Sequence, residues 1–169
     1  MTHPHDPQPR TWVEPELYYA RLASVHVATG ALITNPQGGI LLVKPTYRPH
    51  WLIPGGMADD GEPPETACAR ELREELGLQL PVGPLLVVDW APPAGHRRRP
   101  ILYLLFDAGV VTGEPPRPQD DELDDVAFLP VEEAVRRLSA QVAGRVPAAL
   151  AAREQGGTIY RPARRTRGK

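Results

Sequence analysis

Apolar positions along this chain follow two rhythms. LASVHVATGALITN (residues 22–35) alternates apolar and β-branched residues with smaller ones, which predicts a strand. NPQGG (35–39) is turn chemistry, and ILLVKP (40–45) is an apolar run of the length of a buried strand. Together they predict an antiparallel hairpin. The arrangement recurs in VGPLLVVDW (82–90) and ILYLLFDAGVV (101–111), strand and returning strand around the loop PPAGHRRRP (92–100). VAFLP (126–130) reads as a further short strand. Helical spacing covers about 63–76, 131–138 and about 147–154. Pro63 and Pro64 suit a first helical turn, and Gly77 stands where a C-terminal cap belongs. Between these lie YRPHWLIPGG (47–56), with a short extended piece at 51–53, the Gly-rich acidic loop GGMADDGE (55–62), and the Pro-rich acidic loop TGEPPRPQDDELDD (112–125). No internal repeat is present. Strands in hairpins with helices interposed irregularly predict an α+β sandwich rather than a doubly wound parallel sheet.

Composition bounds this picture. The 169 residues, 41% of them hydrophobic, predict one domain with a real core. The expected boundaries are a Pro-rich N-terminal arm at 1–15, a folded domain at 16–157 and a basic tail at 158–169. The net charge is -2, and RPARRTRGK (161–169) holds five basic residues and no acidic one. The body ahead of it is therefore net acidic, so a nucleic-acid partner is not expected. The tail reads as a solvated end. The lone cysteine, Cys68, excludes an internal disulfide and a Cys-rich zinc site, and reads as a small buried hydrophobe. The N-terminus has no apolar stretch like that of a signal peptide, and no apolar run is long enough to span a membrane. A cytoplasmic protein is expected.

The stretch ARELREELGL (69–78) changes the question from fold to chemistry. On a helix, Glu71, Glu74 and Glu75 share one face, because i, i+3 and i+4 are neighbours. Three adjacent carboxylates repel by a few tenths of a kcal/mol per pair. Arg73 falls on the far side and Arg70 on a flank, so neither neutralises the cluster by position alone. Ala69, Leu72 and Leu76 form the apolar stripe that packs inward. The carboxylate face is either a solvated acidic surface or a place for a hard divalent cation beside the Gly-rich loop, where backbone can approach a ligand closely.

Read outward, the segment is Gly56, five residues, Glu62, seven residues, Arg70, Glu71, Leu72, Arg73, Glu74, Glu75, Leu76, Gly77, Leu78. It resembles the signature of the Nudix hydrolases, G-x5-E-x7-R-E-U-x-E-E-x-G-U with U aliphatic, and matches at every fixed position. WLIPGG (51–56) is similar to that family's lead-in, and DDELDDVAFLPVEEA (120–134) to its downstream acidic loop, strand and helix. The resemblance covers about 24–138. It implies an α/β/α sandwich with a mixed, mostly antiparallel sheet. It implies hydrolysis of a nucleoside diphosphate linked to another moiety X, with Mg2+ or Mn2+ as cofactor. Carried over, Glu71, Glu74 and Glu75 are metal ligands, and Glu71 or a downstream acid is the general base. Arg70 orients a glutamate, Glu62 supports the site, and Gly55, Gly56 and Arg70 face the substrate.

The downstream acid varies within the family. Glu122 is the first candidate as catalytic residue and extra metal ligand, followed by Asp121; the lesser alternative for both is a solvated acidic loop. Arg97, Arg98 and Arg99 are candidate phosphate contacts, although an exposed loop needs no ligand to carry them. Trp51 and Trp90 suit core or rim packing better than base stacking, and His26 and His50 carry no pattern. Pro93 lies about where the ADP-ribose branch of the family has a proline. ADP-ribose or another ADP-sugar and a nucleoside triphosphate are the expected substrates, and a homodimer is a further expectation. Two rivals remain. An isoprenyl diphosphate isomerase needs a site cysteine, but Cys68 lies inside the box helix. A non-catalytic nucleotide-binding regulator commonly lacks box glutamates, and here all are present.

Overall fold

The computed structural model describes residues 12–119 and 121–162. Most of the expected N-terminal arm, Asp120 and residues 163–169 of the basic tail lie outside the described residues. The elements follow in the order α1 (Pro15–Ala20), β1 (His26–Thr34), β2 (Ile40–Pro45), α2 (Pro64–Leu76), β3 (Leu85–Ala91), β4 (Ile101–Val110), β5 (Leu123–Leu129), α3 (Val131–Arg137), α4 (Arg145–Gln155) and β6 (Ile159–Arg161).

The six strands form one mixed sheet in the order β5-β2-β1-β4-β3-β6. Its pairs β1–β2, β2–β5 and β3–β4 are antiparallel, and β1–β4 and β3–β6 are parallel. Both faces are covered, so successive residues of one strand enter different cores. Ile40 and Leu42 of β2 pack with Leu32, Val87, Leu105 and the helices α3 and α4, through Ala134, Val146 and Ala149. Leu41 and Val43 pack on the other face with Ile33, Phe106 and α2, through Cys68, Leu72 and Leu76. That is why ILLVKP reads as an unbroken apolar run. Between β1 and β2, Asn35 Oδ1 accepts hydrogen bonds from the main-chain N–H of Gln37 (3.1 Å) and Gly39 (2.7 Å), closing the turn.

Beyond that turn β1 and β2 splay apart, and residues 51–58 enter the gap. Leu52 exchanges main-chain hydrogen bonds with Val43, at 2.8 and 2.9 Å. The chain then turns back along β1, where Thr29 N donates to Gly56 O (2.8 Å) and Ala58 N to Val27 O (3.0 Å). Strands β1, β4 and β5 start, and β2 and β3 finish, at the same end of the sheet. The Gly-rich loop, the β3–β4 tip and the residues just before β5 therefore open on that end.

Three features depart from the sequence reading. The strand expected at 22–35 is shorter, because pairing begins only where His26 N donates to Pro100 O (2.9 Å). The short helix α1 was not foreseen. Strand β6, which lies within the stretch read as tail, pairs with β3 through Val87↔Ile159 and Asp89↔Arg161.

Candidate active site

Helix α2 begins behind Pro63 with Pro64 in its first turn, so the proline N–H missing there is one the helix would not have used. Gly77 ends it at φ 64°, its N–H donating to Arg73 O (3.0 Å) while Leu78 N donates to Leu72 O (3.1 Å). Ala67, Cys68, Leu72 and Leu76 are buried under the sheet, and Ala69 is only half-buried, so the inward stripe is offset from the one expected. The carboxylates lie along the flank of that stripe, with Glu71 and Glu75 half-buried and Glu74 exposed.

Gly56 explains how the first of them is seated. An added Cβ at Gly56 would lie 2.5 Å from the Glu71 carboxyl carbon, so the glutamate occupies the space that any other residue would fill. Gly55 has φ 131° and packs against the β1 main chain, where a Cβ would meet Thr29 O and Gly30 Cα. Its N–H donates to Glu75 Oε2 (3.0 Å). The two glycines thus bring the Gly-rich loop onto two glutamates of α2.

Arg70 ties the rest together. Its Nε and Nη2 donate to both oxygens of Glu62, each at 3.0 Å, and Nη2 also donates to Met57 O (3.1 Å). Its Nη1 donates to Glu71 Oε1 and to Glu74 Oε2, each at 3.0 Å. This corrects the expectation that the arginines leave the cluster unneutralised: from its flank, Arg70 reaches three of the four box glutamates. Glu62 also accepts from Asp59 N (3.0 Å). The hydrogen bond from Arg70, then that from Asp59, holds the Glu62 carboxyl below its usual range. The same bond to Glu62 pushes the Arg70 guanidinium up. Glu71 goes the other way: burial raises its carboxyl, opposed by the Arg70 hydrogen bond. Burial also pushes the Cys68 thiol up to about 12.

Among the described residues, no three or more His, Cys, Asp or Glu are gathered into a cage for a metal ion. The donor chemistry nevertheless fits a hard divalent cation. Glu71 and Glu74 already converge on one cationic group, Arg70 Nη1, and Mg2+ is ordinarily held by one or two carboxylates with water and substrate phosphate completing its shell.

The other candidates divide. Glu122 is exposed, and its carbonyl accepts from Thr46 N (2.8 Å) at the end of the sheet where the Gly-rich loop opens. The preceding loop rests on α2 through Gln119 N and Glu75 O (2.9 Å). Asp121 is exposed beside it. Trp51 is a core residue, with the Arg137 guanidinium 5.9 Å from its ring centre, whereas Trp90 is half-buried. Arg97 braces its own loop, donating to Arg99 O (2.7 Å) and Pro92 O (2.8 Å).

A second buried polar group escaped the sequence reading. Asp89, Tyr103 and Arg161 lie in one row across β3, β4 and β6. Arg145 of α4 donates to Asp89 Oδ2 (2.7 Å) with its guanidinium 3.6 Å from the Tyr103 ring centre. The Tyr103 hydroxyl occupies the space over Gly30 that a side chain there would take. Isolated residues on three strands and a helix carry no common spacing, so only the assembled sheet reveals them.

A family model described as the NUDIX domain matches residues 24–150. An ADP-ribose pyrophosphatase of Mycobacterium tuberculosis is 33% identical over 117 residues, covering 66% of this chain and 56% of its own. An RNA pyrophosphohydrolase of Aeromonas hydrophila is 46% identical over 50 residues, 30% of this chain and 29% of its own. The chain thus spans little more than half of the first relative and under a third of the second. Among solved structures, the MutT protein from Methanosarcina mazei Go1 superposes with a TM-score of 0.63 at 20% identity, over 79% of this chain and 96% of its own. That likeness shows the fold.

Proposed function

The chain belongs to the NUDIX domain family, and on that premise we propose that it hydrolyses a pyrophosphate bond in a nucleoside diphosphate linked to another moiety X. The observation that carries this reading is the seating of the box glutamates against the Gly-rich loop: Glu71 over Gly56, Glu75 on the Gly55 N–H, and Glu71 with Glu74 on Arg70.

Glu71, Glu74 and Glu75 are the residues that would hold Mg2+ or Mn2+, with Glu122 as a further ligand. Such an ion, when bound, supplies charge neutralisation for the anionic pyrophosphate and lowers the pKa of a coordinated water. The remaining work falls to the chain. Gly55 and Gly56 let the loop lie against β1 and α2 so that Glu71 and Glu75 are seated beside the substrate, and Arg70 keeps Glu71 and Glu74 in register while facing the same loop. A carboxylate, Glu71 or Glu122 with Asp121 as the next candidate, accepts the proton of the attacking water. The water oxygen bonds to one phosphorus as the bridging P–O bond breaks, and its electron pair leaves with the departing phosphate. ADP-ribose or another ADP-sugar is favoured by the similarity to an ADP-ribose pyrophosphatase. Nucleoside triphosphates are the other candidate class.

Incubation with ADP-ribose, NADH, dinucleoside polyphosphates and nucleoside triphosphates in Mg2+ tests this. At least one should yield a nucleoside monophosphate, and a chelator should stop it. A panel on which nothing is cleaved rejects the proposal.

A further inference from the structure

The β3–β4 tip carries three consecutive arginines with different surroundings. Arg97 is consumed internally: its guanidinium bonds to Arg99 O and Pro92 O, and Ala94 and Arg97 exchange main-chain hydrogen bonds at 3.1 and 3.0 Å. These bonds close the loop and stiffen it, so that Arg98 and Arg99 are presented outward. Both are exposed, and neither makes an ion pair with a described residue. Glu62, the box glutamate in the Gly-rich loop, is held by Arg70.

The sheet fixes where this tip stands. Met57, whose carbonyl holds Arg70, bridges to Ala28 on β1, and β1 is paired along its first residues with β4, His26 against Ile101. The base of the tip is therefore two strand spacings from the Gly56–Met57 loop, roughly 10 Å. An arginine side chain spans much of that gap, and a guanidinium matches the oxygens of a phosphate with a pair of parallel donors.

We propose that Arg98 and Arg99 form a second phosphate subsite, which takes an anionic group of the substrate lying beyond the pyrophosphate that is cleaved. It rests on the hydrolase reading above and sharpens it. Substrates whose X bears a further phosphate, nucleoside triphosphates among them, gain a contact that the uncharged X of an ADP-sugar does not make. The placement also suits the charge distribution. The box carboxylates must approach the pyrophosphate through a cation, whereas a phosphate farther out meets two guanidinium groups directly.

The test is the double variant Arg98→Ala, Arg99→Ala, with kcat/KM measured for ATP and for ADP-glucose. The ratio of the two should fall about tenfold, mostly through KM, and Arg98→Lys, Arg99→Lys should recover part of it because lysine keeps the charge but not the paired donors. The equilibrium affinity for a non-hydrolysable ATP analogue is measured alongside. It should fall by a similar factor and lose part of its salt dependence. A ratio and an affinity that stay at wild-type values overturn the subsite. If the wild-type protein cleaves neither substrate, the panel above decides the hydrolase reading, and the analogue affinity decides by itself whether the subsite stands.

Discussion

Gly56 and Glu71 are fifteen positions apart, yet each dictates what the other can be. The carboxylate lies where a side chain at position 56 would grow. The spacing of Glu71, Glu74 and Glu75 was legible from helical geometry, and so was their shared face. The reach of Arg70 was not, because a long side chain lying along the helix can contact residues its Cα position does not face. Gly56→Ala should displace Glu71 and lower kcat by about tenfold or more, since small misplacements of reacting groups are costly. Unchanged kinetics with an unchanged circular dichroism spectrum would contradict the role given to Gly56. Tyr103 offers a titration at the same scale. Burial pushes its hydroxyl up to about 12, so the folded protein keeps it neutral while the unfolded chain ionises it near the ordinary value of about 10. Its contribution to stability is complete below about 10 and is lost as pH rises toward about 12, on the order of 2 kcal/mol. Denaturant titrations of wild type and Tyr103→Phe over that window should diverge. Parallel curves would place Tyr103 outside the alkaline transition.

Among the elements, those with a strong local signal came out as expected. Helix α2 has proline at its start and glycine at its end, and β2 is bounded by the Asn35 turn. The missed ones are short. α1 buries no residue, so no apolar period marks it. β6 has three residues and leads into a basic stretch whose charge hides it, although it is tied to the body by Arg161, 3.7 Å from Asp89. The link between α4 and the sheet runs through the same aspartate, which Arg145 meets with both side chains about nine-tenths buried. Asp89→Ala leaves that guanidinium without its carboxylate. The expected loss is about 3 kcal/mol, or a fall in Tm of about 10 °C. A variant melting within a degree or two of wild type would show that Asp89 does not anchor α4.

At the level of the whole molecule, the two-sided core follows from strands that are apolar on both faces, and the α+β sandwich was readable from hairpins with irregular helices. The parallel pairing of β1 with β4 was not, because strands adjacent in sequence were expected to be adjacent in the sheet. Residues 51–58 part β1 from β2 instead, and that wedge presents Gly55 and Gly56 to α2. The sheet end where the Gly-rich loop, the β3–β4 tip and Glu122 gather is thus a product of topology, while its carboxylates are written in one helix. The proposed chemistry rests on those carboxylates. The most direct measurement is turnover of the best substrate in Mg2+ by Glu74→Gln beside wild type, with folding checked by circular dichroism. A folded variant should lose about a hundredfold or more of its kcat. Wild-type turnover in the folded variant would contradict the assignment of the box glutamates to the chemistry.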